Sequence, residues 1–146
     1  GYDVDDLVHM TRGALLHDVG KIGISDGILS KPGALTDEER EQIQMHPVYA
    51  FEWLDGIDYL RPALDIPHYH HEKWDGSGYP EGLAGESIPH SARLFAVVDV
   101  FDALTSDRPY RKAWSREKTL DYISSEAGKH FEPEVVDRFQ TMINSN

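Results

Sequence analysis

The chain has 146 residues, 40% apolar and 27% charged, which suits one folded domain; 26 acidic against 14 basic side chains give a formal charge of −12. That charge excludes long nucleic acid held by a broad basic face and attraction to anionic lipid, and the lack of cysteine excludes disulfides and thiolate metal sites. No apolar run approaches the ~20 residues of a membrane span; Leu94 to Leu104 comes nearest and is interrupted by Asp99 and Asp102.

Gly1 to Asp6 lacks both an initiating Met and a signal-peptide pattern and runs straight into helical spacing, as expected of a fragment from a longer chain. Strand alternation is nearly absent. Residues 4–18 place Leu7, Val8, Ala14 and Leu15 at helical spacing and stop before Gly20, a helix-end residue. The Gly and Pro content of 20–35 predicts a loop. Thr36 and Glu39 form a capping box that opens a helix to about Asp55, which Pro47 must kink or restart. Residues 57–71 read as a short helix broken near Pro67, and the glycine-rich segment 72–90 as a structured loop. Ser91 is expected to cap a helix through Leu104. A polar, arginine-rich loop follows over 105–114, then a helix capped by Ser115 to about Ala127, then a last helix opened by Pro133 to about Ile143. The fold class is all-α, with two long loops too composed to be linkers.

Eight histidines are present, and they are clustered: His17-Asp18 and His70-His71 are adjacent pairs. Neutral imidazole with carboxylate suits Zn, Fe or Mn. Asp99 sits among Phe95, Ala96, Val97, Val98, Val100 and Phe101 in a helix that reads as apolar all round and therefore buried. A carboxylate there needs a cation or a metal, so Arg108 or Arg111 is the alternative partner. Asp102, one turn on, reads as bonded to an arginine or the backbone. His46 falls on the stripe Ile43, His46, Ala50, Trp53, where a hydrogen-bonded core histidine is the plain alternative. His17-Asp18 could equally be a capping pair at a helix end, and His70-His71 two surface histidines. Taken together, four histidines and two aspartates from four segments fit a di-metal site bridged by a carboxylate, of the kind that clamps a phosphoryl group and makes a hydroxide near neutral pH. Lys21, Arg108 and Arg111 read as phosphate contacts against the acidic background, and Lys112 as ordinary surface charge. In Trp74 to Pro80, two aromatics among turn residues could stack on a base or simply pin the loop.

These residues resemble the HD-GYP domains, a bacterial branch of the HD metal-dependent phosphohydrolases. His17-Asp18-Val19-Gly20-Lys21 looks like the HD-x-G-K signature, His46-Pro47 like the next ligand, and His70 to Pro80 like the HHExxDGxGYP block. Val98 to Arg111 is similar to the last long block, and the likeness runs from about Leu7 to Phe139. The resemblance implies an HD-type helical bundle. It also implies a cytoplasmic phosphodiesterase that opens cyclic di-GMP to linear pGpG, with GMP as a further product in some members. Matched residue by residue, His17, Asp18, His46, His70, His71 and Asp99 are the implied metal ligands for two iron or manganese ions, with Asp18 bridging. Lys21, Arg108 and Arg111 match phosphate contacts, and Tyr79 a substrate-loop contact. The expected chemistry is attack by a metal-bridging hydroxide, with Lys21 neutralising charge and either a metal-bound water or Asp102, counted with the substrate contacts, protonating the leaving group.

Members of this family carry a further ligating helix upstream of the HD pair, with a His and, in trinuclear members, a Glu. His9 does not match it. The chain is therefore expected to be one HD-GYP domain, 1–146, incomplete at its N-terminus, with a third ion and a sensory or receiver domain belonging to the full protein. A second class of member binds cyclic di-GMP or a protein partner without cutting; the intact motifs favour an enzyme. A general HD nucleotide phosphohydrolase is a third reading, against which the GYP block counts. The strip Tyr110 to Trp114 is a candidate surface for a signalling partner.

Overall fold

Asp3 starts the first helix by local chemistry. Its carboxylate accepts the Asp6 N–H at 2.9 Å, and Asp6 reaches back to the Asp3 N–H at 3.1 Å. This reciprocal cap opens α1, Val4–Leu16, in a computed structural model that describes residues 1–108 and 111–145. Pro109, Tyr110 and Asn146 fall outside the described residues, and the expected partner strip beginning at Tyr110 is only partly described. No strand occurs among the described residues; isolated bridges pair Asp75 with Ala84, Arg108 with Arg111 and Ala127 with Phe131. The chain divides into two units, Gly1–His71 and Glu72–Asn146.

In the first unit, α1 ends at Leu16 with His17 as its C-cap, four residues before Gly20. The segment expected as loop holds a 3₁₀ turn, Val19–Gly23, and a four-residue helix, α2, Asp26–Leu29. The Thr36–Glu39 capping box is present and opens α3, Asp37–Gln44. Met45 separates it from α4, His46–Leu54, in which Pro47 occupies the first turn, where its missing N–H is no loss. So Pro47 restarts the helix. Pro67 does not break one: it lies in the first turn of α5, Asp65–Tyr69, and the break falls earlier, between a 3₁₀ turn at Arg61–Ala63 and Asp65. The buried apolar residues here are Ile24, Ala50, Leu60, Ala63, Leu64 and Ile66. Of the stripe expected to face inward, His46 and Ala50 are buried, whereas Trp53 is 45% exposed and stacks on Tyr49 at 5.7 Å.

Gly20 decides how this unit closes. A Cβ on it would lie 1.8 Å from the His46 carbonyl oxygen and 3.0 Å from the Ala50 nitrogen. Only glycine lets the Val19–Gly23 turn lie directly on α4. That contact brings the end of α1 to the start of α4.

In the second unit, residues 72–89 form the long structured loop, with one 3₁₀ turn at Gly85–Ser87. The next helix, α6, His90–Thr105, begins one residue before Ser91, and its N-cap is Pro89. Ser115 caps α7, Arg116–Ser125, by accepting the Lys118 N–H at 3.2 Å. Pro133 opens α8, Pro133–Asn144. Ala96 and Val97 of α6, Ile123 of α7, Val135, Val136 and Phe139 of α8, and Phe131 form one core. Arg93 and Glu132 add a half-hidden ion pair at 2.7 Å. The helix α6 is not buried all round: Val98 is 46% exposed and Asp102 lies on the surface.

Candidate metal centre

Three histidines in the first unit stand at helix ends and use the same local device. His17 Nδ1 lies 2.6 Å from the Ala14 carbonyl, His46 Nδ1 2.7 Å from that of Ile43, and His70 Nδ1 2.9 Å from that of Ile66. A carbonyl only accepts, so each Nδ1 carries the proton and each Nε2 keeps its lone pair. Carbonyls near a helix end thus fix the tautomer that a metal ligand needs.

Asp18, His46, His70 and His71 each offer one donor atom, all within 4.8 Å of one another. Asp18 Oδ1 lies 3.5 Å from His46 Nε2, and Oδ2 lies 3.4 Å from His17 Nε2 and 2.6 Å from Lys21 Nζ. His46 Nε2 is fully enclosed and has no hydrogen-bond partner among the described residues. The rings pack edge to face: His46 and His71 centroids are 4.9 Å apart, and those of His17 and His70 5.3 Å.

The electrostatics favour donors over acids. Burial pushes the imidazolium form of His70 down to about 3 and that of His71 to about 2, and neighbouring histidines push the same way. Burial also lowers His46. Burial alone would raise the Asp18 carboxyl, but the neighbouring His17 and the hydrogen bond and charge of Lys21 outweigh it and hold it well below the usual carboxylate range. At neutral pH the site presents neutral imidazoles and one carboxylate, a nitrogen-rich set with an orphaned buried lone pair at His46. This is a donor set for a divalent metal ion.

Of the residues expected from sequence, the first unit brings together His17, Asp18, Lys21, His46, His70 and His71. Tyr79, Asp99, Asp102, Arg108 and Arg111 belong to the second unit. There, Asp99 is half-buried on α6, and Tyr79 is half-buried in the 72–89 loop. Asp102 and Arg108 are exposed. Arg111 donates to the Ala103 carbonyl at the end of α6, and its guanidinium carbon sits 5.8 Å from the centre of the Trp114 ring. His9 stands apart from the donor set, 3.5 Å from an Arg12 nitrogen. Sequence reasoning assigned no role to Glu72, a buried acid that follows His71 in the chain and accepts three backbone amides of the 72–89 loop. Nor did it assign one to His68, a buried histidine whose Nδ1 lies 3.2 Å from the Pro47 carbonyl and whose ring packs on Phe51 at 4.7 Å.

Known proteins share this architecture. A family model described as an HD domain matches residues 3–135. The chain is 44% identical over 139 residues to the cyclic di-GMP phosphodiesterase response regulator RpfG of Xanthomonas campestris pv. campestris, covering 94% of this chain and 37% of that protein. It is 47% identical over 135 residues to a cyclic di-GMP phosphodiesterase of Vibrio cholerae, covering 88% of this chain and 27% of that one. The crystal structure of a cyclic GMP-AMP specific phosphodiesterase of V. cholerae, V-cGAP3, superposes with a TM-score of 0.73 at 20% identity, over 98% of this chain and 39% of that one. The chain thus spans between about a quarter and two-fifths of its relatives' length. With the HD pair, the histidine donors and the His70–Pro80 block all in place, the chain belongs to the HD domain family, in its HD-GYP branch.

Proposed function

We propose that this chain is the hydrolytic part of a metal-dependent phosphodiesterase that opens cyclic di-GMP to linear pGpG. The observation that carries the reading is the set of neutral imidazoles and one carboxylate gathered within 4.8 Å. The names of relatives at 44% and 47% identity supply the substrate class. His46, His70, His71 and Asp18 would hold the metal, with His17 beside them. When bound, divalent ions neutralise phosphoryl charge and acidify water. Iron or manganese fits the nitrogen-rich donor set.

The protein's own groups have separate tasks in this reading. Asp18 keeps its charge at any working pH, and its two oxygens face different histidines, which suits a bridging ligand. Lys21 holds Asp18 with one of three ammonium donors and is 39% exposed, leaving donors for a phosphate oxygen. The roles of Asp99 as a further ligand, Arg108 and Arg111 as phosphate contacts, Tyr79 as a base-stacking group and Asp102 as a proton donor are proposed on sequence resemblance.

The test uses the full-length protein, purified without oxygen and loaded with Fe or Mn. It is mixed with cyclic di-GMP or with the GMP–AMP hybrid. Products are resolved by chromatography and bound metal is counted. Linear pGpG formed faster than the linear hybrid product is expected. Tight binding of cyclic di-GMP with no linear product under either metal would instead assign the chain to signalling by binding.

A further inference from the structure

In the second unit, the loop that carries Tyr79 is organised around one buried carboxylate. Glu72 is 2% exposed. Its Oε1 accepts the Glu81 N–H at 2.7 Å and the Gly82 N–H at 3.1 Å, and its Oε2 accepts the Leu83 N–H at 3.0 Å. Three successive amides directed at one carboxylate make an anion nest, occupied here by the chain's own glutamate. Gly82 has φ of +69°, a left-handed conformation that turns these amides to one side.

The rest of the loop shows what this grip controls. Asp75 and Ala84 pair across its neck, and the Gly85 N–H donates to the Trp74 carbonyl at 2.9 Å. The Trp74 and Asp75 amides donate to the His130 and Lys129 carbonyls at 3.0 and 2.8 Å, which fixes the neck. Residues 76–83 therefore form a closed lobe. Its outgoing limb is held by Glu72 at 81–83, and only Pro80 separates that hold from Tyr79. Glu72 also directly follows His70-His71, so one run of three residues supplies two metal donors and the anchor of the lobe. A buried carboxylate is costly unless it is fully bonded, and an apolar side chain would fill the same space without that cost. Space-filling alone does not account for an acid here; a fixed direction for the 79–83 backbone does.

We infer that Glu72 is a positioning residue, holding the 79–83 segment so that Tyr79 meets a cyclic dinucleotide in one orientation. The inference rests on the phosphodiesterase reading above. Glu72→Gln keeps size and shape but sets an NH₂ against the nest, so at least one amide loses its acceptor.

In the full-length, metal-loaded protein, Glu72→Gln is expected to speed hydrogen exchange at the amides of Glu81, Gly82 and Leu83 at least tenfold. It should raise KM for cyclic di-GMP about tenfold with kcat within threefold and metal content unchanged. Gly82→Ala, which strains the same turn while leaving the carboxylate in place, should move KM in the same direction. Faster exchange with unchanged KM in an active protein would reduce Glu72 to a structural plug and overturn the inference. Loss of metal with loss of kcat would overturn it as well, by placing Glu72 at the metal. A wild-type protein that neither binds nor cuts a cyclic dinucleotide would remove the phosphodiesterase reading itself, and this inference with it. Where the wild type binds without cutting, the dissociation constant is read in place of KM.

Discussion

At Asp18, one oxygen faces His46 and the other faces His17 and Lys21. The carboxylate is thus shared between two sides of the cluster. The histidines around it divide by what their Nδ1 protons do and where their second nitrogens lie. His46 spends Nδ1–H on a carbonyl of its own chain neighbourhood and leaves Nε2 enclosed with the donors. His68 is also buried, yet it binds the Pro47 carbonyl and packs on Phe51, outside the donor set. This contrast gives a paired test. His46→Ala is expected to weaken metal binding by more than about tenfold. His68→Gln, which can keep a donor to Pro47, should leave metal affinity within about twofold while costing roughly 1–3 kcal/mol of stability. Titration with Mn followed by calorimetry, beside urea unfolding, separates the two. Equal loss of metal affinity in both would show that burial, and not donor position, governs the site.

At the scale of elements, what could be read from sequence was local. The Thr36–Glu39 box, the Ser115 cap and the Pro133 start are formed by residues within one turn, so their signals lie side by side in the chain. Pro47 and Pro67 look alike in sequence, and whether each opens or breaks a helix depends on where its helix begins, which packing sets. Gly20 was read as a helix end, but its role is set by His46, 26 positions later, and no local pattern shows a close approach at that distance. The apolar run around Asp99 suggested burial on every side, whereas α6 packs through Ala92, Ala96 and Val97 and turns Val98 outward. Because Gly20 holds the turn on α4, Gly20→Ala must push the two apart. A loss of about 1–3 kcal/mol is expected from the overpacking, together with at least tenfold weaker metal binding, since Asp18 moves with the turn. Denaturant unfolding with and without Mn reads both. A variant that loses stability but binds metal as before would disconnect the turn from the site.

For the whole molecule, the acidic charge takes on a different meaning once the donors are located. Two bound divalent ions would bring −12 to about −8 and reverse the field locally, which suits a small anionic nucleotide and still excludes a long one. The donor set could be read because its motifs are contiguous; that Asp99 falls in a different unit from the other five expected ligands could not. The pH response draws on the depressed donor histidines and also on one histidine outside the donor set. Burial lowers His130 to about 4, and Lys73 adds to that effect. A histidine depressed in the folded state takes up protons more readily when unfolded, so stability is full above about pH 6.5 and falls as pH drops toward 4. His130→Phe, which keeps a ring stacked on Phe131, should cut the stability lost between pH 7 and pH 5 by about 1–2 kcal/mol. Urea unfolding at the two pH values measures it, and an unchanged difference would assign the acid sensitivity elsewhere.

The most direct test of the metal centre counts bound iron or manganese and follows cyclic di-GMP opening in the same samples of full-length wild type and Asp18→Ala. The expected result is loss of both bound metal and turnover in the variant, with turnover at least about 10³-fold lower. A variant that keeps its metal and its turnover would contradict the assignment of Asp18, and with it the account of this cluster as the reacting centre.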